Sequence, residues 1–252
     1  MVSSAYLSSL CYLFPSWPRK VLGARQGGRA PTGASRDLRR EEATCLQEQL
    51  SALWMDSRTM STFDSQLHFG KIGEGAIAHW LREKKGFHVL PIYEKEISEG
   101  KGPVLFSLEG ELIAPDLFCF RKTTEVGTDT LWIEAKTKSA FTWHRISQQW
   151  LTGIDMRHYE DYLKVAHLSP FPVWLLFLHL AGTAKDTPQG KVSPTGLFGR
   201  ELLYLAKHED HRHENWGRTG MVYWAHKTLL RLAALDEVSR FARLNVIPAE
   251  SL

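Results

Sequence analysis

Cysteine is scarce in this chain, and no apolar run is long enough to form a membrane span. The 252 residues include three cysteines, Cys11, Cys45 and Cys119. Three scattered cysteines exclude a disulfide framework and a tetrahedral zinc site, because such sites need close pairs of ligands. The longest apolar run, Phe171 to Ala181, has about half of the roughly 20 residues that span a bilayer. We therefore expect a protein of the reducing cytoplasm that has no membrane partner.

Acidic residues are missing from the first 36 positions, which hold five arginines or lysines. The same segment contains a loose stretch of glycine and small residues, 26–35, and such a composition is not expected to fold alone. This composition is compatible with an organelle transit peptide and with a short signal core. It is also compatible with a disordered leader, or with a stretch that lies before a natural start of the protein at Met60. We divide the chain into this leader, residues 1–60, and one domain, residues 61–252.

The net charge alone gives little support for a polyanionic partner. Residues 1–60 hold eight Lys or Arg and five Asp or Glu, so their balance of +3 equals that of the whole chain. The remaining domain is neutral. It would have to bind nucleic acid through a local basic strip, because the attraction of phosphates depends on where positive charge is concentrated.

The first part of the domain shows helical and then strand periodicity. Apolar residues at helical spacing predict a helix over residues 70–85, and Gly86 stands where a left-handed C-cap belongs. Alternating apolar residues then predict a strand over 87–96. Pro91 places this strand at the edge of a sheet, because proline cannot donate a hydrogen bond to a neighbouring strand.

The rest of the domain adds a strand-turn-strand unit, a helix and more strands. The unit is predicted over residues 112–136, and the helix over 146–166 although Gly153 weakens it. Three further strands are predicted over residues 173–180, 197–206 and 221–225. The strands cluster before the second helix, so we expect an α/β domain with a central mixed β-sheet flanked by helices.

One of three Glu-x-Lys patterns in the chain needs a special explanation. Two of them, in residues 83–85 and 99–101, lie at the charged end of a predicted helix and in a glycine turn. The third, Glu134 with Lys136, closes an apolar strand, where charged residues are normally disfavoured. Side chains two positions apart on a strand point to the same face, so these two side chains project together.

An acid in the preceding strand completes a charged group. Asp116 stands in the only Pro-Asp dipeptide of the chain, and adjacent strands can bring it close to Glu134 and Lys136. Crowded carboxylates repel each other unless a cation neutralises them, and hard oxygen ligands select Mg²⁺ or Mn²⁺. Such a metal could polarise a phosphodiester, while Lys136 orients water or stabilises charge. A structural ion pair without catalysis is the alternative.

These residues resemble the PD-(D/E)XK nuclease superfamily, also called restriction-endonuclease-like. The similarity consists of Pro115 and Asp116, of Glu134 and Lys136 with Glu134 eighteen residues after Asp116, and of an upstream helix that bears Glu74. The resemblance covers roughly residues 70–180. It implies the order αβββαβ around a four-stranded mixed core, with the second helix directly after the motif strand. It also implies that Glu74 joins Asp116 and Glu134 as a metal ligand.

The resemblance further implies a Mg²⁺- or Mn²⁺-dependent nuclease that hydrolyses DNA, in DNA repair, recombination or phage DNA processing. Asp116, Glu134 and Lys136 would be its catalytic residues. The protein could form a homodimer, because symmetric cleavage of both strands of a DNA duplex requires two copies of the active site. A catalytically inactive nuclease fold that binds nucleic acid is the alternative function. The form of the DNA and the choice between endonuclease and exonuclease stay open.

A basic strip after the motif strand is the predicted contact with DNA. Lys138, His144 and Arg145 would bind the phosphate backbone, Trp143 would stack on a base, and Gln149 would lie beside them on the second helix.

Two other groups have open interpretations. Some branches of the superfamily place a Gln-x-x-x-Tyr pair on the second helix, and His158 and Tyr162 meet that spacing here; they could equally be packing residues. His208, His211 and His213 could form a second metal site, although a solvated polar loop is the simpler interpretation.

Overall fold

The computed structural model describes residues 62–92, 95–97, 100–108, 110–123, 127–181, 187–214 and 219–241. The predicted leader, residues 1–60, lies outside them. Within these ranges, no helix combines the length and the apolar character that a membrane crossing requires.

A six-stranded mixed sheet forms the centre of the domain. Its strands are, in chain order, β1 (His88–Pro91), β6 (Leu117–Lys122), β7 (Thr128–Lys138), β10 (Val173–His179), β11 (Gly196–Glu201) and β14 (Leu230–Ala233). β1, β6 and β7 form an antiparallel meander, and β10 then pairs with β7 in parallel. β11 and β14 continue the sheet in antiparallel pairing. The predicted four-stranded mixed core is thus confirmed, with two further strands beside it.

The first helix, α1 (Thr62–Lys85), covers one face of this sheet. Its buried residues recur at helical spacing and include Ala76, Ile77 and Trp80. The helix ends at Gly86, which has a φ of +69°, a conformation that glycine adopts without the steric cost of a Cβ.

The second helix, α2 (Met156–Leu168), covers the opposite face. Glu134 interacts with Tyr162 of α2, whereas Thr137 of β7 lies against Gly73 of α1. Positions 134 and 137 differ by an odd number of residues, so their side chains point to opposite sides of the strand. The prediction of a mixed sheet with helices on both faces is confirmed, and in the core the order αβββαβ is α1, β1, β6, β7, α2 and β10.

A smaller four-stranded sheet packs beside the core. Its spatial order is β12-β13-β9-β8, with the bounds β8 (Thr142–His144), β9 (Gln149–Asp155), β12 (His211–His213) and β13 (Met221–Ala225). Short elements complete the described chain: β2 (Lys95–Ile97), β3 (Gly100–Gly102), β4 (Val104–Ser107), β5 (Gly110–Ile113), α3 (Leu202–Ala206), a 3₁₀ helix (His226–Thr228) and α4 (Leu235–Ser239).

The prediction of a single helix over residues 146–166 was wrong in its first half. Strands β8 and β9 stand between the motif strand and α2, which begins only after Asp155. Asp155 caps α2 by accepting the Arg157 N–H at 3.0 Å. Gly153, expected to weaken a helix, instead permits close strand pairing, because a Cβ there would lie 2.3 Å from the Val222 carbonyl oxygen.

The strand predicted over residues 197–206 was also only half correct. β11 ends at Glu201, and the following residues form α3. The Glu201 carboxylate accepts hydrogen bonds from the N–H groups of Leu203 at 3.2 Å and Tyr204 at 3.0 Å. A side chain that satisfies the first free N–H groups of a helix favours helix over strand at this point.

Candidate active site

Asp116 and Glu134 lie opposite each other on neighbouring strands. The register of β6 and β7 pairs Leu117 with Ile133, so Asp116 and Glu134 form the next pair outward. The Asp116 N–H donates to Glu134 Oε2 at 3.3 Å, and the Ala135 N–H donates to Asp116 Oδ2 at 3.0 Å. Each carboxyl group is therefore held by the backbone of the other strand.

The two carboxyl groups share one negative environment. Burial, followed by the negative charge of Glu134, raises the pKa of Asp116 from 3.8 to about 7, although Lys136 and the Ala135 N–H oppose this rise. A hydrogen bond between the two carboxyl groups also raises this pKa, and only a protonated carboxyl group can donate one. Near neutral pH the Asp116 carboxyl group is therefore protonated in part of the molecules.

Lys136 forms an ion pair with Glu134. Burial lowers the pKa of Lys136, but the negative charges of Glu134 and Asp116 outweigh burial, and the net pKa is raised. The Lys136 side chain is 29% exposed, whereas Glu134 is fully buried at 0%. The ammonium group therefore stays charged and stands between the buried carboxylates and solvent.

Glu74 of α1 lies in the same neighbourhood. Its negative charge is one of the influences that raise the pKa of Lys136, and its side chain is half-buried. The preceding residue, Gly73, brings α1 close to the motif strand, because a Cβ there would lie 1.8 Å from Thr137 Oγ1. The structure thus brings Asp116, Glu134 and Lys136 into direct contact and places Glu74 within electrostatic range of Lys136.

Tyr162 and His158 of α2 complete the set from the other side. The Tyr162 hydroxyl donates a hydrogen bond to Glu134, and burial, then the charges of Glu134 and Asp116, raise the Tyr162 pKa. Burial, then the positive charge of Lys136, lower the pKa of His158. The sequence leaves these residues open between packing and function, and the structure places both beside the charged group.

Lys138 and Trp143 of the predicted DNA strip have different environments. Lys138 ends β7, and burial together with the Lys136 charge lowers its pKa to about 8. The ring of Trp143 contacts Trp150 edge-on at 5.0 Å between centroids, and Lys191 Nζ lies 3.7 Å above the Trp143 ring. Lys191 therefore covers a face of the indole that was predicted to stack on a base.

The other members of that strip belong to the smaller sheet and the turn between its strands. His144 Nδ1 lies 2.7 Å from Ser147 Oγ, and its ring stacks on His211 at 4.9 Å. Arg145 is exposed in the turn between β8 and β9. Gln149, predicted to lie on the second helix, is instead the first residue of β9, and its amide donates to Asp210 at 2.6 Å.

The histidine segment has protein partners of its own. His208 stacks on Tyr204 with ring centroids 4.0 Å apart, and His211 Nδ1 lies 2.8 Å from Asp210 Oδ2. His213 ends β12 and is exposed. In the described part of the chain, no group of three His, Cys, Asp or Glu side chains is arranged to hold a metal ion.

The Asp116–Glu134 pair nevertheless fits a hard divalent cation. Mg²⁺ keeps several of its waters in proteins and is commonly held by one or two carboxylates. Lys136 supplies one positive charge beside these two carboxyl groups. A dication bound to both would relieve their mutual repulsion.

No protein-family model matches this chain. No curated protein matches it either. Among solved structures, it is similar to Hjc, a Holliday junction resolvase from Archaeoglobus fulgidus, at 11% identity and a TM-score of 0.36, over 63% of this chain and 90% of that one. It is also similar to a nuclease from a fusselovirus, at 11% identity and a TM-score of 0.31, over 86% of this chain and 96% of that one.

Proposed function

We propose that this protein is a metal-dependent nuclease that hydrolyses phosphodiester bonds of DNA. The observation that carries the proposal is the contact between the buried Glu134 carboxylate, the half-buried Asp116 carboxyl group and the partly exposed Lys136 ammonium group, at the point where β6 and β7 pair. Burying such charges is unfavourable for folding alone. The unfavourable free energy of burying these charges is explained if the charged residues bind a cation and a phosphate.

Asp116 and Glu134 would hold the metal, and Glu74 is the candidate for a further ligand. Bound Mg²⁺ or Mn²⁺ would polarise the scissile phosphodiester and lower the pKa of an attacking water. Lys136 would orient that water or stabilise the charge that develops on the phosphate, because its ammonium group is charged, anchored on Glu134 and open to solvent. Tyr162 would keep the Glu134 carboxylate in place through its hydrogen bond.

The direct test is cleavage of DNA with and without Mg²⁺ by the wild type and two site variants. Asp116→Asn keeps an acceptor for the Ala135 N–H, and Lys136→Met keeps most of the side-chain volume. Both variants should lose at least about a hundredfold in rate, in line with the loss of a charge-stabilising group. Matched controls are Glu160→Gln and Lys164→Met, two exposed residues of α2, and these should cleave normally.

The outcome separates a nuclease from an inactive fold that only binds nucleic acid. Full activity in both site variants would refute the catalytic assignment. If the wild type itself does not cleave, calorimetric titration with Mn²⁺ shows whether the protein binds a metal ion. The absence of a heat of binding would favour the inactive fold. Circular and linear DNA used side by side would show whether free ends are needed.

A further inference from the structure

A cavity with a positive rim lies at one edge of the central sheet, away from the carboxylate pair. Its volume is about 480 Å³, which is in the usual range of small-molecule sites. Nine residues line it, and none of them is acidic: Val192, Ser193, Pro194, Thr195, Phe198, His226, Lys227, Leu229 and Arg231.

The lining divides into an apolar floor and a cationic rim. Phe198 and Leu229 are buried, whereas Lys227 and Arg231 are exposed. In the described ranges, no carboxylate forms an ion pair with either cation. Their charge is therefore available to a ligand. An apolar surface beside two cations suits a nucleotide, whose base is flat and apolar on its faces and whose phosphate is anionic.

The register of the sheet relates this cavity to the proposed active site. Lys136 pairs with Phe177 of β10, Phe177 with Phe198 of β11, and Phe198 with Arg231 of β14. Residues paired across strands share a face of the sheet, and neighbouring strands lie about 4.8 Å apart. Arg231 therefore stands on the same face as Lys136, three strands and about 14 Å away between backbones. The two paired residues between them, Phe177 and Phe198, are buried in the core.

One further cation, Lys138, and a cluster of aromatic rings lie at this end of the sheet. Lys138 ends β7 beside His179 of β10, and His179 and Phe141 stack with their ring centroids 3.6 Å apart. The His226 ring contacts Phe141 at 5.1 Å and Phe198 at 5.0 Å. Burial and the Arg231 charge lower the pKa of His226. Burial also lowers the pKa of His179 to about 3, so the positive charge between Lys136 and the cavity comes from Lys138.

We infer that this cavity binds a second nucleotide of the strand whose phosphodiester lies at Asp116 and Glu134, a few positions from the bond that is cut. Lys227 and Arg231 contact its phosphate, and the base lies against Phe198 and Leu229. The inference rests on the proposed function for the identity of the strand. It assigns the cavity a role in holding the substrate, distinct from the chemistry.

The test compares two double variants with the same change in charge. Lys227→Gln with Arg231→Gln removes the rim. Lys84→Gln with Lys122→Gln removes two exposed lysines at the other end of the sheet, at the end of α1 and of β6. Binding of a fluorescent oligonucleotide is measured in EDTA at several salt concentrations. The rim variant should bind about tenfold more weakly, and its salt slope should fall by about 0.7–0.9, because the phosphate that both cations contact is no longer neutralised.

Equal affinity and equal salt slope in the two double variants would overturn the inference. Cleavage assays with Mg²⁺ keep it separate from the proposed function. If the wild type does not cleave but the rim variant still loses affinity, the nuclease proposal fails and the cavity stands. If the wild type cleaves and the rim variant binds normally, the cavity proposal fails alone.

Small ligands test whether the site takes a nucleotide or phosphate alone. Titration of the wild type with thymidine 5′-monophosphate should shift the His226 ring resonances in NMR spectra, and inorganic phosphate should need at least about tenfold higher concentration. Equal affinity for the two ligands would overturn the assignment of a base to the floor. The rim variant should show neither shift.

Discussion

Gly73 of α1 and Thr137 of β7 pack so closely that a Cβ on the glycine would lie 1.8 Å from the threonine Oγ1 and 2.8 Å from its Cβ. This contact sets the distance between the first helix and the strand that carries Glu134 and Lys136. It also places Glu74, the next residue of the helix, near the proposed active site.

Replacing Gly73 with alanine should destabilise the protein by about 1–3 kcal/mol, the usual cost of overpacking, measured by urea denaturation. Alanine favours helix over glycine by about 1 kcal/mol, so any loss must come from the contact with Thr137. Gly70→Ala is the matched control, because a Cβ there would meet nothing within 4 Å. That variant should be slightly more stable than the wild type. A Thr137→Ala background should reduce the cost of Gly73→Ala, and an equal cost in both backgrounds would contradict the explanation.

Asp116 should make the metal-free protein less stable as the pH rises from about 4 to about 7. Its pKa is raised from 3.8 to about 7 by burial and by Glu134. Between these values the folded protein retains a proton that the unfolded chain has released, so stability is highest below pH 4 for this group and falls through the window. Asp116→Asn should remove that contribution. Urea denaturation in EDTA at a series of pH values measures the stability of the wild type and of Asp116→Asn. If the stability of the two proteins depended on pH in the same way, the prediction would be wrong.

Removing the ammonium group should cost more than removing the whole ion pair. Lys136→Met leaves the fully buried Glu134 without its cation. We expect a loss of about 2 kcal/mol, less than the 3–5 kcal/mol of fully buried pairs because solvent reaches Lys136. The double variant with Glu134→Gln and Lys136→Met should recover much of this stability. A double variant as unstable as the sum of the single variants would show that the two groups are not coupled.

Tyr162→Phe should raise the Mg²⁺ concentration needed for half-maximal cleavage. The hydroxyl holds the Glu134 carboxylate, and a loss of about 1–3 kcal/mol is typical when a buried charged group loses a hydrogen bond. Tyr159→Phe is the control on the same helix, because that hydroxyl contacts Glu209 instead. Both variants should be less stable than the wild type, but only Tyr162→Phe should change the response to Mg²⁺. The same Mg²⁺ requirement in both variants would leave Tyr162 with a packing role.

The core and the central charged group could be predicted because local pattern and tertiary structure agree there. Alternation along β6 and β7 fixes which residues share a face, and the position of Glu134 and Lys136 on an apolar strand can be seen in the sequence alone. The C-cap at Gly86 was equally local, since its positive φ favours glycine.

The smaller sheet could not be predicted because its two central strands, β9 and β13, come from distant segments. Residues 149–155 fit a helical spacing, but pairing with β13 and with the neighbouring β8 makes them extended. Gly153 has opposite meanings in the two contexts, since it weakens a helix but permits the approach of Val222. The predicted roles of Trp143 and Gln149 were affected for the same reason, because their partners Lys191 and Asp210 are far away in the sequence.

The four-strand row from Lys136 to Arg231 fixes the spacing of the two residues' backbones, because each step in it is a backbone pairing, with one register shift beside Phe198. A packed sheet does not stretch to suit its ligand. An oligonucleotide that is too short to contact both Lys136 and Arg231 gains no affinity from the second residue. Its affinity should therefore rise abruptly at the chain length that reaches both residues, and change little at shorter or longer lengths.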